Sequence, residues 1–243
     1  MSTWNQFLED IENAIGELRC DETYFRGHSD SLWKLEPSLA REKRTNPRYN
    51  STKEKRLFWD FRMLGSHLLP SNPSEWDVLY YMQHHGVPTR LLDWTTSFST
   101  ALYFAMKSPQ NQIAVWVLNP YSLNEITSKE CSVSNLNVSF KMDYCAFIDL
   151  NPKPAGALAV AGDSSVGRIH AQGGAFTLHA NLDQPLEELY PSVVRKITLD
   201  RNAYPQATRF LGLAGTNEYT VFPDLDGLAR YLVQKELGVG DGT

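Results

Sequence analysis

The chain has 243 residues, of which 42% are hydrophobic and 21% are charged, and its net charge at pH 7 is −5. These proportions are ordinary for a globular protein and exclude a disordered or low-complexity chain. Its apolar runs fall short of the roughly 18–20 residues that span a bilayer, and the first residues lack the pattern of a secretory signal. The three cysteines form no C-x-x-C pair, so we expect a cytoplasmic protein without a membrane partner.

The first half of the chain is predicted to be rich in helix. The first predicted helix shows the pattern plainly, because Trp4, Phe7 and Ile11 recur at helical spacing. The helices are expected over residues 3–18, 57–68, 73–85 and 97–107. Short β-prone runs predict strands at 23–27 and 113–118. The polar residues 41–52 are expected to form a loop.

The second half is predicted to be rich in strand. The strands are expected at 167–178, 193–199 and 219–222, followed by a closing amphipathic helix over 224–237. Residues 121–155 are expected to be irregular. Helices in the first half and strands in the second predict an α+β fold rather than a βαβ alternation.

The length fits a single main domain. We expect it to cover residues 20–237, with an N-terminal helix at 1–19 packing on it and a flexible tail at 238–243. There are no internal repeats and no long linker.

Two common kinds of site are not predicted. Residues 162–167 have the glycine spacing of a phosphate-binding P-loop, but Arg168 and Ile169 replace the required Lys and Ser/Thr. His84 and His85 are adjacent, so on a helix they point about 100° apart and cannot easily share a metal. We expect no metal site.

Positive charge is concentrated between residues 41 and 62, where eight basic residues face three acidic ones. One interpretation is a surface for an anionic partner such as nucleic acid. The alternative is a solvated loop that continues into a helix.

Three segments carry more polar and aromatic detail than a fold requires. The first, residues 24–41, places Arg26 beside Gly27 and His28 at the end of a predicted strand. An arginine in this setting can bring its planar fork to a phosphate or carboxylate. Alternatively, Arg26 bridges to Asp30 or Asp93 and fixes a loop.

The second segment, residues 83–97, leads into a predicted helix. Thr95, Thr96 and Ser97 can cap this helix, and its first N–H groups can also hold an anion. Arg90 and Asp93 lie three residues apart and can pair as a structural clamp.

The third segment combines residues 171–177 with residues 221–229. It contributes Gln172 and Phe176 as candidate ligand contacts. Asp224 follows Pro223, which is typical of the residue that caps the start of a helix.

Together these segments resemble the FRG domain, which is named for a motif that Phe25-Arg26-Gly27 matches. The resemblance continues through the Pro-Ser-Leu-x-Arg piece at 37–41, the Gln-His-x-Gly-x-Pro-Thr-Arg-Leu-Leu-Asp-Trp-Thr block from Gln83, and the Phe-Pro-Asp-Leu-Asp-Gly-Leu ending. It spans about residues 20–232. The family implies a bacterial or phage protein, with defence or toxin-like roles among its members.

The order of these parts is also similar to that of ADP-ribosyltransferases, which cleave the nicotinamide–ribose bond of NAD. This resemblance implies that Arg26 holds a phosphate. Thr95–Ser97 and Tyr103 would pin the ribose and stack on nicotinamide. An acidic side chain would stabilise the positive charge that develops on the ribose.

The acidic position departs from the pattern, because the chain contains no Glu-x-Glu. Glu218, at the start of a predicted strand, and Asp224, at its end, are the candidate catalytic acids. The expected NAD or nucleotide site therefore comprises Arg26, Gly27, His28, Arg90, Asp93, Thr95, Thr96, Ser97, Tyr103, Gln172 and Phe176. A non-catalytic nucleotide or nucleic-acid binding module and a protein-interaction domain are the alternatives. An acidic residue that faces Arg26 would favour the enzyme.

Overall fold

The computed structural model describes residues 3–109, 112–150, 156–162 and 172–238. Their strands form one antiparallel six-stranded sheet with the order β4-β5-β2-β1-β3-β6. The strands are β1 (Tyr24–His28), β2 (Leu91–Thr95), β3 (Ile113–Leu118), β4 (Ala157–Ala161), β5 (Gly174–His179) and β6 (Val194–Leu199).

Helices surround this sheet. In chain order they are α1 (Trp4–Leu18), α2 (Ser38–Thr45), α3 (Ser51–Leu64), α4 (Glu75–His84), α5 (Phe98–Met106), α6 (Pro120–Ser128), α7 (Leu136–Ser139), α8 (Tyr144–Asp149), α9 (Leu186–Leu189), α10 (Tyr204–Leu213), α11 (Glu218–Val221) and α12 (Leu225–Leu237). A short 3-10 helix, Arg201–Ala203, precedes α10. No helix among the described residues is both long enough and apolar enough to cross a membrane.

Both faces of the sheet are covered. On one face, Phe25 and Val115 pack against α1 and α5, while Phe176 packs with residues of α3, α4 and α8. On the other face, Trp94 and Trp116 pack with residues of α6 and α9. Because side chains alternate along a strand, β1 sends Phe25 to one face and Arg26 to the other.

The sheet separates at its centre, between β1 and β2. These two strands share a single residue pair, Phe25 with Thr95, whereas β1 and β3 pair over five residues. Helix α5 lies close behind β1, since a Cβ added to Gly27 would stand 1.9 Å from the Ala101 carbonyl oxygen. The separation leaves a gap whose walls come from both strands and from the neighbouring helices.

The α+β class is confirmed, and so are the first, third and fourth predicted helices and the strands at 113–118 and 193–199. The expected division into a helix-rich and a strand-rich half is wrong, because β1–β3 lie in the first half and β4–β6 in the second. The third predicted helix begins later than expected: Ser74 and Asp77 form a capping box, so the helix starts at Glu75.

Other boundaries also differ. The predicted loop at 41–52 contains the end of α2 and the start of α3, and the predicted irregular region begins with α6. The predicted strand at 219–222 is instead the helical turn α11, because Asn217 and Thr220 form a capping box there. Residues 163–171 lie outside the described residues, so the described part of the strand predicted from 167 is β5.

Candidate functional site

A cleft of about 400 Å³ lies where β1 and β2 separate. Strands β1, β2 and β5 form its floor, and α4, α5 and the segment that joins α11 to α12 contribute to its walls. Aromatic side chains dominate the lining: Phe25, Trp33, Tyr80, Trp94, Phe104, Phe176 and Phe222. Such a surface suits a planar ring that can stack on, or meet the edge of, these side chains.

Arg26 supplies the positive charge of the cleft. Its Nη1 donates to the Asp93 backbone oxygen at 2.6 Å, and its Nε lies 3.1 Å from His28 Nε2. Its Nη2 has no partner in the part of the chain that the structure describes. Burial lowers the pKa of the Arg26 guanidinium and the Asp93 carboxylate opposes this shift, but an arginine remains protonated at neutral pH. Arg26 can therefore present an N–H donor and a full charge to an anion.

Asp93 supplies a carboxylate to the cleft from the neighbouring strand, β2. Its side chain is 57% exposed, and its Oδ2 lies 3.8 Å from Arg26 Nη1, too far for a hydrogen bond. Both carboxylate oxygens accept from Gln83 Nε2 at 2.9 Å. Gln83 Oε1 in turn accepts from the Thr89 hydroxyl. The carboxylate is thus held in one orientation while remaining open to a ligand.

His28 lies beneath Arg26 rather than in the cleft lining. Its Nδ1 is 3.1 Å from Trp116 Nε1, and the side chain is buried. Burial, reinforced by the charge of Arg26, lowers the pKa of His28 to about 3. The ring is therefore neutral at physiological pH and supports the Arg26 side chain without adding charge.

The Thr95–Ser97 block mainly closes the turn between β2 and α5. Thr95 Oγ1 donates to the Gln172 backbone oxygen and accepts from the Ser97 N–H, and Thr96 Oγ1 donates to the Gly173 oxygen. Ser97 caps α5 by accepting from the Thr100 N–H. The predicted cap is confirmed, and the binding of an anion at the same helix start stays a prediction. Thr95 and Gln172 still line the cleft.

Arg90 lies outside the cleft, and its expected pairing with Asp93 is wrong. It is buried, with Nε 2.5 Å and Nη2 2.8 Å from the two oxygens of Glu54. Burial alone would raise the pKa of Glu54, but Arg90 outweighs it and holds the pKa below its ordinary value. Arg90 also donates to the backbone oxygens of His179 and Ala180. This pair joins α3 to β2 and to the end of β5.

The two expected catalytic acids also lie away from the cleft lining. Glu218 is buried and accepts from the Tyr103 hydroxyl, from Arg230 Nε at 2.6 Å and from Lys107 Nζ at 3.4 Å. Burial raises the pKa of Glu218, but these three partners outweigh it and the net shift is downward. Asp224 caps α12, because its Oδ1 accepts a hydrogen bond from the Gly227 backbone N–H at 2.7 Å.

Glu218 and its partners instead fix one wall of the cleft. Lys107 Nζ lies 4.7 Å and Arg230 Cζ 5.6 Å from the centre of the Phe222 ring. Phe222 meets Phe104 edge-on, with 6.0 Å between the ring centres. Gln172 Nε2 donates to the Val221 backbone oxygen at 3.1 Å. The α11–α12 segment therefore sets the position of Phe222.

The basic segment at 41–62 is largely engaged with the rest of the chain. Ion pairs join Lys43 to Asp183, Arg44 to Glu36 and Lys55 to Asp149. Arg41 and Arg62 donate to backbone oxygens. Arg48, Lys53 and Arg56 remain as cations whose side chains have no partner among the described residues. This pattern favours a solvated, internally paired face.

Six of the residues that the sequence predicts for the site line the cleft: Arg26, Gly27, Asp93, Thr95, Gln172 and Phe176. Gln83, Trp33 and Phe104 also line it, and they were not predicted. Gln83 and Trp33 lie in segments that stood out in the sequence, but no local signal shows that they face Arg26. In the described residues, no group of three or more His, Cys, Asp or Glu side chains could hold a metal ion.

The fold and the cleft define a class: an α+β protein whose antiparallel sheet opens over an arginine- and aromatic-lined site. Comparison with protein families is more specific, because residues 21–113 match the FRG domain. The chain contains an FRG domain, as the Phe25-Arg26-Gly27 motif predicts. The match includes Arg26, Gln83 and Asp93 and ends before β4 and β5. Searches of curated proteins and of solved structures found no match.

Proposed function

We propose that this FRG-domain protein binds a nucleotide in the cleft between β1 and β2. A nucleotide combines a planar base with a phosphate, and the cleft combines aromatic walls with the Arg26 guanidinium. Its volume of about 400 Å³ is near the lower end of the range for small-molecule pockets, about 300–1,000 Å³. This size suits one nucleotide unit, such as AMP or half of NAD.

The observation that carries the proposal is the open arrangement of Arg26 and Asp93. A direct ion pair would bring the guanidinium and carboxylate within hydrogen-bond distance of each other. Here the charged atoms stand 3.8 Å apart, and the carboxylate is more than half exposed. A cation and an anion held side by side in an aromatic cleft offer complementary contacts to a phosphate and to hydroxyl or amino groups.

Cleavage of NAD is a second candidate function, favoured by the carboxylate of Asp93 in the same cleft. The N-glycosidic bond would break with its electron pair passing to the nicotinamide nitrogen. Water or an acceptor hydroxyl would attack the ribose C1′ cation and release its proton. Asp93, rather than Glu218 or Asp224, would then stabilise the positive charge on the ribose. A role in defence or toxicity stays a prediction from the family resemblance.

The experiment is a calorimetric titration of the purified protein with NAD and with AMP, followed by an assay for nicotinamide release on the same sample. Binding of either compound without release supports the binding module. Release of nicotinamide supports the enzyme, provided that Asp93→Asn stops it. The proposal of a nucleotide site fails if neither compound binds at millimolar concentration.

A further inference from the structure

Asp93 is fixed more firmly than an exposed aspartate usually is. Both of its oxygens accept from Gln83 Nε2, and Gln83 Oε1 accepts from Thr89 Oγ1. Thr89 is itself buried, and its hydroxyl oxygen accepts from the Leu91 N–H at 3.0 Å. The carboxylate is therefore preorganised by α4 and by the start of β2. Preorganised acceptors lose little freedom when a ligand binds.

The carboxylate also keeps unused acceptor capacity. An ionised carboxylate offers about four lone-pair positions, and the Gln83 amide approaches one on each oxygen. Arg26 Nη1 donates to the Asp93 backbone oxygen, while its distance to the carboxylate is 3.8 Å. Because one nitrogen, Gln83 Nε2, stands 2.9 Å from both oxygens, it lies on the side where their syn lone pairs converge, and the anti positions left for a ligand point apart. Each of these positions can accept from one hydroxyl donor.

We infer that Asp93 is the sugar subsite of the cleft and accepts a hydrogen bond from the 2′-hydroxyl of a ribose. Gln83 is the positioning residue that orients the carboxylate. The inference rests on the proposed nucleotide site and narrows its ligand to a ribonucleotide. Carboxylates bind ribose hydroxyls in the same way in other nucleotide sites. Arg26, beside Asp93, offsets the repulsion between this carboxylate and the phosphate of the ligand.

A carboxylate that served only to balance the charge of Arg26 would not distinguish one sugar from another. The two roles therefore differ in a measurable quantity, the ratio of the dissociation constants for a deoxyribonucleotide and the matching ribonucleotide. Removal of one hydroxyl that donates to a charged acceptor weakens binding by about tenfold or more.

The experiment is a calorimetric titration of the wild-type protein with AMP and with 2′-deoxy-AMP. We expect 2′-deoxy-AMP to bind at least about tenfold more weakly. In Asp93→Asn the ratio should fall to within about twofold, because the 2′-hydroxyl then loses its charged acceptor. Gln83→Leu, which frees the carboxylate, should also reduce the ratio. The matched control is Asp183→Asn, a surface aspartate paired with Lys43, which should keep the wild-type ratio.

Equal affinity of the wild-type protein for both compounds would overturn the sugar subsite while leaving the nucleotide site in place. A tenfold ratio that persists in Asp93→Asn would also overturn the sugar subsite, because a group other than Asp93 would then bind the 2′-hydroxyl. If neither compound binds, the nucleotide site itself fails and the sugar subsite fails with it. The wild-type ratio needs no variant, so the test stands even if Asp93→Asn does not fold.

Discussion

Substitution of Glu218 by glutamine separates the two roles that this residue can have. In the structure, Glu218 is an anchor for the α11–α12 segment, which places Phe222 in the cleft wall. We therefore expect Glu218→Gln to lower the free energy of unfolding and to weaken AMP binding. A catalytic acid would behave differently, because its loss would stop turnover while binding persisted.

The magnitude follows from the surroundings of the carboxylate. Removing one partner of a fully buried ion pair costs about 3–5 kcal/mol. The side chains of Arg230 and Lys107 are 40% and 34% exposed, so water can solvate them after the charge is removed, and we expect a smaller loss of about 1–3 kcal/mol. For a chain of this size that loss lowers Tm by roughly 3–9 °C. AMP affinity should fall about three- to tenfold, equivalent to roughly 0.7–1.4 kcal/mol of binding free energy.

The assays are thermal unfolding and calorimetric titration of wild type, Glu218→Gln and a control, Glu17→Gln. Glu17 forms an exposed ion pair with Arg195, and its loss should cost less than about 1 kcal/mol without changing AMP affinity. If Glu218→Gln retains wild-type stability and affinity but loses nicotinamide release, the anchor role is refuted and Glu218 is the catalytic acid.

Three further predictions concern groups outside the cleft lining. Glu54→Gln should cost about 3–5 kcal/mol in urea unfolding, because it leaves the buried charge of Arg90 unpaired; a cost below about 1 kcal/mol would contradict the pairing. His28 and His179 have pKa values lowered to about 3, chiefly by burial, so the unfolded chain binds more protons below pH 6.5 and stability falls as the pH drops. At pH 5 each should subtract about 2 kcal/mol relative to pH 7, and equal urea midpoints at the two pH values would refute their burial as neutral rings. Asp224→Ala should cost about 1 kcal/mol through loss of the helix cap, and it should leave AMP affinity unchanged; a large loss of affinity would instead place Asp224 in the site.

Local patterns predicted the elements that depend on neighbouring residues. Helix α1 follows from the spacing of Phe7 and Ile11, which are both buried, and the start of α5 follows from Ser97 as a cap. The turn at Glu218 was predicted as a strand because Tyr219, Thr220 and Val221 have high β-propensity. There the hydrogen bonds of the Asn217 cap outweigh that propensity.

The cleft itself could be predicted only in part, because its contacts join distant parts of the chain. Arg26 donates a hydrogen bond to the backbone oxygen of Asp93, 67 positions away. The sequence alone therefore leaves open whether Arg26 binds Asp30, Asp93 or a ligand. Glu54 lies in a basic run and has the sequence character of a surface residue, yet it is buried against Arg90, 36 positions away. Spacing along a helix or strand carries no information about such pairs.

Binding of a nucleotide phosphate by Arg26 in this cleft is tested by comparing AMP with adenosine on the wild-type protein. Both ligands carry the same base and ribose, so their affinities differ only through the phosphate. We expect AMP to bind at least about tenfold more tightly, since a charge-assisted hydrogen bond to Arg26 is available only to the phosphate. Arg26→Gln should remove this advantage. Equal affinities of the wild-type protein for AMP and adenosine would show that Arg26 does not bind a phosphate in this cleft.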